Sequence, residues 1–78
     1  MAKFDFDMYD RLIEEISRIS KNQSELARKI GASRNLVYVW LNNYTIPSPY
    51  YLARLYEQGM DVIYVLTGER TRGGEASV

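Results

Sequence analysis

Between Asn22 and Leu41 the chain reads Asn-Gln-Ser-Glu-Leu-Ala-Arg-Lys-Ile-Gly-Ala-Ser-Arg-Asn-Leu-Val-Tyr-Val-Trp-Leu, and the glycine in its middle constrains the fold more than any other residue. A helix that stops abruptly needs a residue at positive φ just past its last helical position, and Gly31 takes that conformation at the least cost. Upstream, Asn22 is placed to cap a helix, with Glu25 three residues on returning a bond to the cap backbone, an Asn variant of the capping box. Downstream, Ser33 is placed to cap a second helix. The spacing therefore predicts two short helices joined by a tight turn. Ala27, four residues before the glycine, marks where the two helices cross closely, since a larger side chain there would push them apart.

In the second of these helices Val37, Trp40, Leu41 and Tyr44 recur at helical spacing and are expected to face inward. Arg34, Asn35 and Tyr38 then point outward. Their chemistry is specific: Arg holds guanine with two parallel hydrogen bonds, Asn does the same with adenine, and a helix is slim enough to enter a major groove. The competing reading is an αα-hairpin inside a helical bundle that touches no nucleic acid.

Leu26, Ala27, Ile30, Gly31, Val37 and Trp40 resemble the helix-turn-helix pattern of lambdoid phage repressors and Cro proteins, with the similarity running from about Met8 to about Arg70. The ending from Gly59 to Arg70 also resembles the last helix of phage repressor N-terminal domains. The resemblance implies an all-α, lambda-repressor-like DNA-binding domain of about five short helices with a central helix-turn-helix. It implies that Ser33, Arg34, Asn35, Tyr38 and Val39 face the bases, and that Gln23 opens the first motif helix beside the DNA backbone, where unpaired N–H groups suit phosphate. Val39 departs from family members that carry an amide there. Contact with a thymine methyl is the natural substitute, and half-burial beside Leu36 is the plain alternative.

Composition limits the other classes. At 78 residues the chain is one domain, and a domain of this size buries only about 60% of the surface its unfolded chain exposes, so a catalytic cleft is not expected. There is no Cys and no His, which removes disulfides, thiolate nucleophiles, imidazole bases and nearly all zinc sites. We expect no enzyme activity, cofactor, metal or small-molecule substrate. No apolar run reaches the length of a membrane span and no signal-peptide pattern opens the chain; the resemblance implies the cytoplasm of a bacterial host, at the nucleoid, as the expected location. Net charge is zero, whereas nucleic-acid-binding domains are usually basic. The distribution is uneven: Asp5, Asp7, Asp10, Glu14 and Glu15 crowd the start against Arg11, while Arg18, Lys21, Arg28, Lys29 and Arg34 come next against Glu25. A dipolar molecule is expected, positive around the motif.

Taken in order, the chain opens with either Asp5 or Asp7 as the cap of a first helix. Phe4 and Tyr9 form a hydrophobic staple if Asp5 is that cap. Tyr9, Leu12, Ile13, Ile16 and Ile19 make one apolar stripe ending near Ser20, with the acids outward. After the motif, Asn42, Asn43, Tyr44 and Thr45 open a loop to Pro47 whose amides, hydroxyls and N–H groups suit phosphate oxygens, alongside Asn22, Gln23 and Arg28. Ser48 and Pro49 start a fourth helix, with Tyr51, Leu52, Leu55 and Tyr56 on its buried side and Gly59 at its end. Asp61 caps a short fifth helix through Thr67, ended by Gly68. Its apolar residues exceed what one face buries. By resemblance to repressors, Val62, Tyr64 and Val65 are candidates for a two-fold dimer interface. Residues 1–70 are expected to form the domain and residues 71–78 a flexible tail or linker, either of a longer repressor or of a Cro-sized protein.

The expected function is sequence-specific double-stranded DNA binding by a transcriptional regulator of phage or prophage type, most naturally a repressor. A homodimer would read a near-palindromic operator with the helix at about 33–42. The alternative is a protein-interaction module, such as an antitoxin-like or repressor-neutralising subunit.

Overall fold

In the computed structural model, which describes residues 5–70, the chain is all-α: α1 (Phe6–Ile19), α2 (Gln23–Ile30), α3 (Arg34–Asn42), α4 (Pro49–Glu57) and α5 (Val62–Thr67), with no strand among the described residues. Phe4 and the segment 71–78 lie outside them.

The helix ends obey local chemistry. Asp5, not Asp7, caps α1, its carboxylate accepting the Met8 N–H at 2.9 Å. Asn22 caps α2 through the Glu25 N–H at 2.8 Å. The return bond goes one residue further out than a capping box requires, because the Glu25 carboxylate accepts from Lys21 N–H at 2.6 Å. That bond, opposed by some desolvation and aided by Lys29, Lys21 and Arg28, holds the Glu25 carboxyl below its ordinary range. Gly31 sits at φ 74°, and the Ala32 N–H bonds back to Ala27 O at 3.0 Å, closing the end of α2. A Cβ at Gly31 would meet nothing within 4 Å, so backbone angle and not space selects glycine there. Ser48 has cap backbone angles, but its hydroxyl makes no cap bond, in contrast to the expectation.

One core joins the helices. Tyr9, Leu12 and Ile16 from α1 meet Leu26, Ala27 and Ile30 from α2, Val37 and Trp40 from α3, Leu55 from α4, Met60, and Val65 from α5. Each fully buried Leu or Val here contributes about 1.5–3 kcal/mol. Ala27 is buried in this core, and α2 packs against α3.

Several sequence expectations are corrected. Tyr44 does not face inward. Helix α3 ends at Asn42, and Tyr44, at φ 53°, is 58% exposed, so helical periodicity no longer governs it. Tyr56 is 68% exposed, because α4 fully buries only Leu55 and leaves Tyr51 and Leu52 at the margin of the core. Glu15 is not an outward acid: it is fully buried. It stands three residues after Leu12 and four before Ile19, on the apolar stripe itself.

Glu15 is the hub that fastens α5. Its carboxylate accepts from Arg18 at 2.7 and 3.2 Å, from Arg70 at 2.9 Å and from the Asp61 N–H at 2.9 Å. Burial alone would push this carboxyl up, but the bonds from Arg18, Asp61 and Arg70 overcome it and hold the pKa at about 2. Around the hub, Arg18 also donates to Gly59 O at 2.6 Å and Arg11 to Val65 O at 3.0 Å. The Tyr64 hydroxyl donates to Glu14 at 2.7 Å, and Arg70 stacks over the Tyr64 ring at 3.7 Å. A six-residue helix is too short to hold itself, so α5 depends on this clamp to α1.

Candidate nucleic-acid interface

Burial of Val37 and Trp40 fixes which way α3 faces, and Ser33 fixes where it begins by accepting the Leu36 N–H at 3.0 Å. Arg34 and Asn35 are the first two residues of the helix, and both are exposed. Tyr38, one turn on, is 51% exposed, and Val39 is half-buried. The residues expected to read bases thus share one solvent-facing side of α3, with Val39 at its margin.

The candidate phosphate-positioning residues divide in two. Asn22 and Gln23, with Lys21, border a small hollow closed by Leu41 of α3, so the start of α2 lies beside the far half of α3. Gln23 is half-buried there, and the Asn22 carbonyl oxygen is engaged in its cap, leaving the amide nitrogen free of that bond. Arg28 is exposed near the end of α2. At the other end, Asn42 donates to Tyr38 O at 2.9 Å and Thr45 donates to Val39 O at 3.1 Å. A hydroxyl has a single proton, and a phosphate oxygen needs a donor. While Thr45 holds Val39 O it donates to no phosphate, so here Thr45 is a helix cap. Asn42 retains one amide proton, and Asn43 and Tyr44 are exposed.

Charge separates as the distribution implied, with one correction. Arg18, counted with the positive side, is spent on Glu15 and Gly59 O. Lys21, Arg28, Lys29 and Arg34 are exposed and form no ion pair with a described residue. Arg70 meanwhile pairs with Glu14 and Glu15, and with Asp61 at 3.7 Å. The cations without an ion pair therefore gather on and just before α2 and at the start of α3, while Glu14 and Glu15 of α1 and the α5 cap Asp61 are paired with Arg18 or Arg70.

The end of α3 holds a feature that motif spacing does not reveal. The Tyr9 hydroxyl donates to Trp40 O at 2.6 Å. The Tyr44 ring lies against Tyr9 at 5.1 Å and edge-on to Phe6 at 5.5 Å. Burial, reinforced by the neighbouring Tyr44, raises the Tyr9 pKa, so the phenol keeps its proton at neutral pH. Periodicity marks Tyr9 as core and is silent about its hydroxyl.

The proposed dimer residues are also redistributed. Val65 is fully buried and offers nothing to a partner, Val62 is packed on the core, and Tyr64 is tied to Glu14. The apolar surface left over on α5 is instead Ile63, 46% exposed, and Leu66, 42% exposed.

No helix among the described residues is long and apolar enough to cross a membrane. Compared with family models, curated proteins and solved structures, the chain matches none.

Proposed function

We propose that this protein is a sequence-specific double-stranded DNA-binding regulator of the phage repressor and Cro type, with α2 and α3 as its helix-turn-helix and a lambda-repressor-like fold. The observation that carries the reading is the exposed pair Arg34–Asn35 at the start of a helix whose opposite face, Val37 and Trp40, is buried. These two side chains are suited to guanine and adenine edges, and the unpaired cations of α2 supply the attraction to phosphate that brings them there. Two copies would set their α3 helices in successive major grooves about 34 Å apart on a near-palindromic site. Repression would result from occupying promoter DNA.

Selection of bound sequences from a random duplex pool tests the reading. A recovered motif with two-fold symmetry and a half-site spacing near one helical turn is the expected result. Recovery of unenriched sequence would defeat it.

A second reading draws on Ile63 and Leu66, an exposed apolar pair on α5 that suits a protein-interaction module. A mobility shift with random duplex at low salt separates the two: the module gives no shift, the regulator a salt-sensitive one.

A further inference from the structure

The segment that carries α5 is fastened at both ends to one carboxylate. Before the helix, the Asp61 N–H donates to Glu15 Oε1 at 2.9 Å; after it, Arg70 Nη1 donates to Glu15 Oε2 at 2.9 Å. The two ends are not held equally. At the start, Met60 and Asp61 are buried, and Arg18 adds a bond to Gly59 O at 2.6 Å. At the end, residues 66–70 are exposed, and among them Arg70 is the one bonded to α1, through Glu15 and through Glu14 at 3.1 Å. Arg70 also lies over the ring of Tyr64, whose hydroxyl holds Glu14.

We infer that residues 61–70 form a strap that opens as one unit, with Arg70 as its latch. The physical reason is length: α5 has six residues, too few to persist as a helix once it leaves its support. Its remaining fastenings, Arg11 on Val65 O and Tyr64 on Glu14, act only while the helix is formed against α1. Loss of Arg70 removes the one tie beyond Val65, so opening starts at that end and runs back to Asp61. It has a natural boundary, because α5 packs on α1 and α4 whereas α3 packs on α2. Cooperative local openings follow such divisions, and the least buried unit opens first. Ile63 and Leu66 ride on the strap, so the latch decides whether that apolar pair is presented on a formed helix. The inference stands on the clamp alone, apart from the DNA-binding reading.

The test is residue-by-residue amide hydrogen exchange on the full chain, comparing wild type, Arg70→Gln and Leu55→Val under conditions where all three are folded. Arg70→Gln removes the charge and the fork of the latch, and Leu55→Val weakens the shared core. In wild type, the amides from Val65 to Gly68 should be less protected than those of α2 and α3. Arg70→Gln should lower protection at all four by about tenfold, the scale of one charged hydrogen bond, and leave α2 and α3 within about twofold. Leu55→Val should lower α2 and α3 as well. The inference is overturned if the strap amides of wild type are as protected as α2 and α3, if Arg70→Gln leaves them unchanged or affects them unequally, or if it lowers every helix together as Leu55→Val does.

Discussion

Three residues carry roles that single substitutions can expose. At Arg34 the expectation comes from the fork of its guanidinium: Arg34→Ala should cost about 1–3 kcal/mol on the selected site and relax preference at one base pair. Measured on a panel of single-base variants, equal weakening on every duplex would instead make Arg34 a phosphate contact. Gly31 is a backbone requirement, since φ is 74° and a Cβ there would touch nothing within 4 Å. Gly31→Ala should lower the urea midpoint by an amount equivalent to about 1–2 kcal/mol, and Gly31→Asn by less, because Asn visits the left-handed region more readily. An alanine variant as stable as wild type would show that the turn relaxes to another conformation. Glu15 is the third, a fully buried carboxylate with two guanidinium partners and a backbone donor. Its consequences appear at the scale of the whole molecule.

Among the elements, α2 and α3 form the packed pair from which Arg34 and Asn35 project, and Ala27, buried in the core, is the residue expected to set their separation. Ala27→Leu would force extra volume into a closed contact and should destabilise by about 1–3 kcal/mol. It should also reduce affinity for the selected duplex in the fraction that remains folded, because the crossing of the two helices changes. Titration of folded variant at low temperature checks this, and undiminished affinity would mean that the crossing is not what aligns Arg34 and Asn35. Helix α5 behaves differently. Six residues long, it owes its place to Val65 in the core and to the clamp from Arg11, Glu14, Glu15 and Arg18. For the proposed two-fold pair, its exposed Ile63 and Leu66 are the candidate seam. Ile63→Lys with Leu66→Lys should leave the monomer's thermal unfolding nearly unchanged and shift sedimentation towards monomer. A wild type that is monomeric at all concentrations, on and off DNA, would remove the seam.

For the whole molecule, the buried carboxylate sets the acid limit of stability. The folded pKa of Glu15 is about 2 against an ordinary value of 4.5, so the charged form is favoured by folding. A group depressed in this way stabilises fully above its unfolded pKa, and the contribution is lost as pH falls from about 5 towards about 2. The shift corresponds to on the order of 3 kcal/mol at neutral pH. Urea unfolding at pH 7 and pH 3 should show a large loss for wild type and a much smaller one for Glu15→Gln, already weakened at pH 7. Equal losses for the two proteins would assign the acid sensitivity elsewhere. Charge separation has its own signature. Lys21, Arg28, Lys29 and Arg34 are the exposed cations without an ion pair on the α2–α3 side, with Glu25 among them, so for the proposed DNA complex the slope of log affinity against log salt should be no steeper than about −4 per protomer.

Local signals were legible without a fold. Asn22, Ser33 and Asp61 cap their helices, Gly31 and Gly68 end theirs at positive φ, and Arg34, Asn35 and Tyr38 fall outward because Val37 and Trp40 must fall inward. Each of these depends on neighbours within about one helical turn, where spacing alone defines geometry. Tertiary structure decided the rest. Tyr9 meets Trp40 across 31 residues, Asp61 meets Glu15 across 46 and Arg70 meets Glu15 across 55. Those partners turned an apparent surface acid into a buried hub and, with it, withdrew Arg18 from the positive surface that the charge distribution suggested, while the core took Val65 away from the interface role that the resemblance implied. Periodicity records which side of a helix faces in; it cannot record which polar group, arriving from a distant segment, will meet a side chain there, because that depends on how the helices pack.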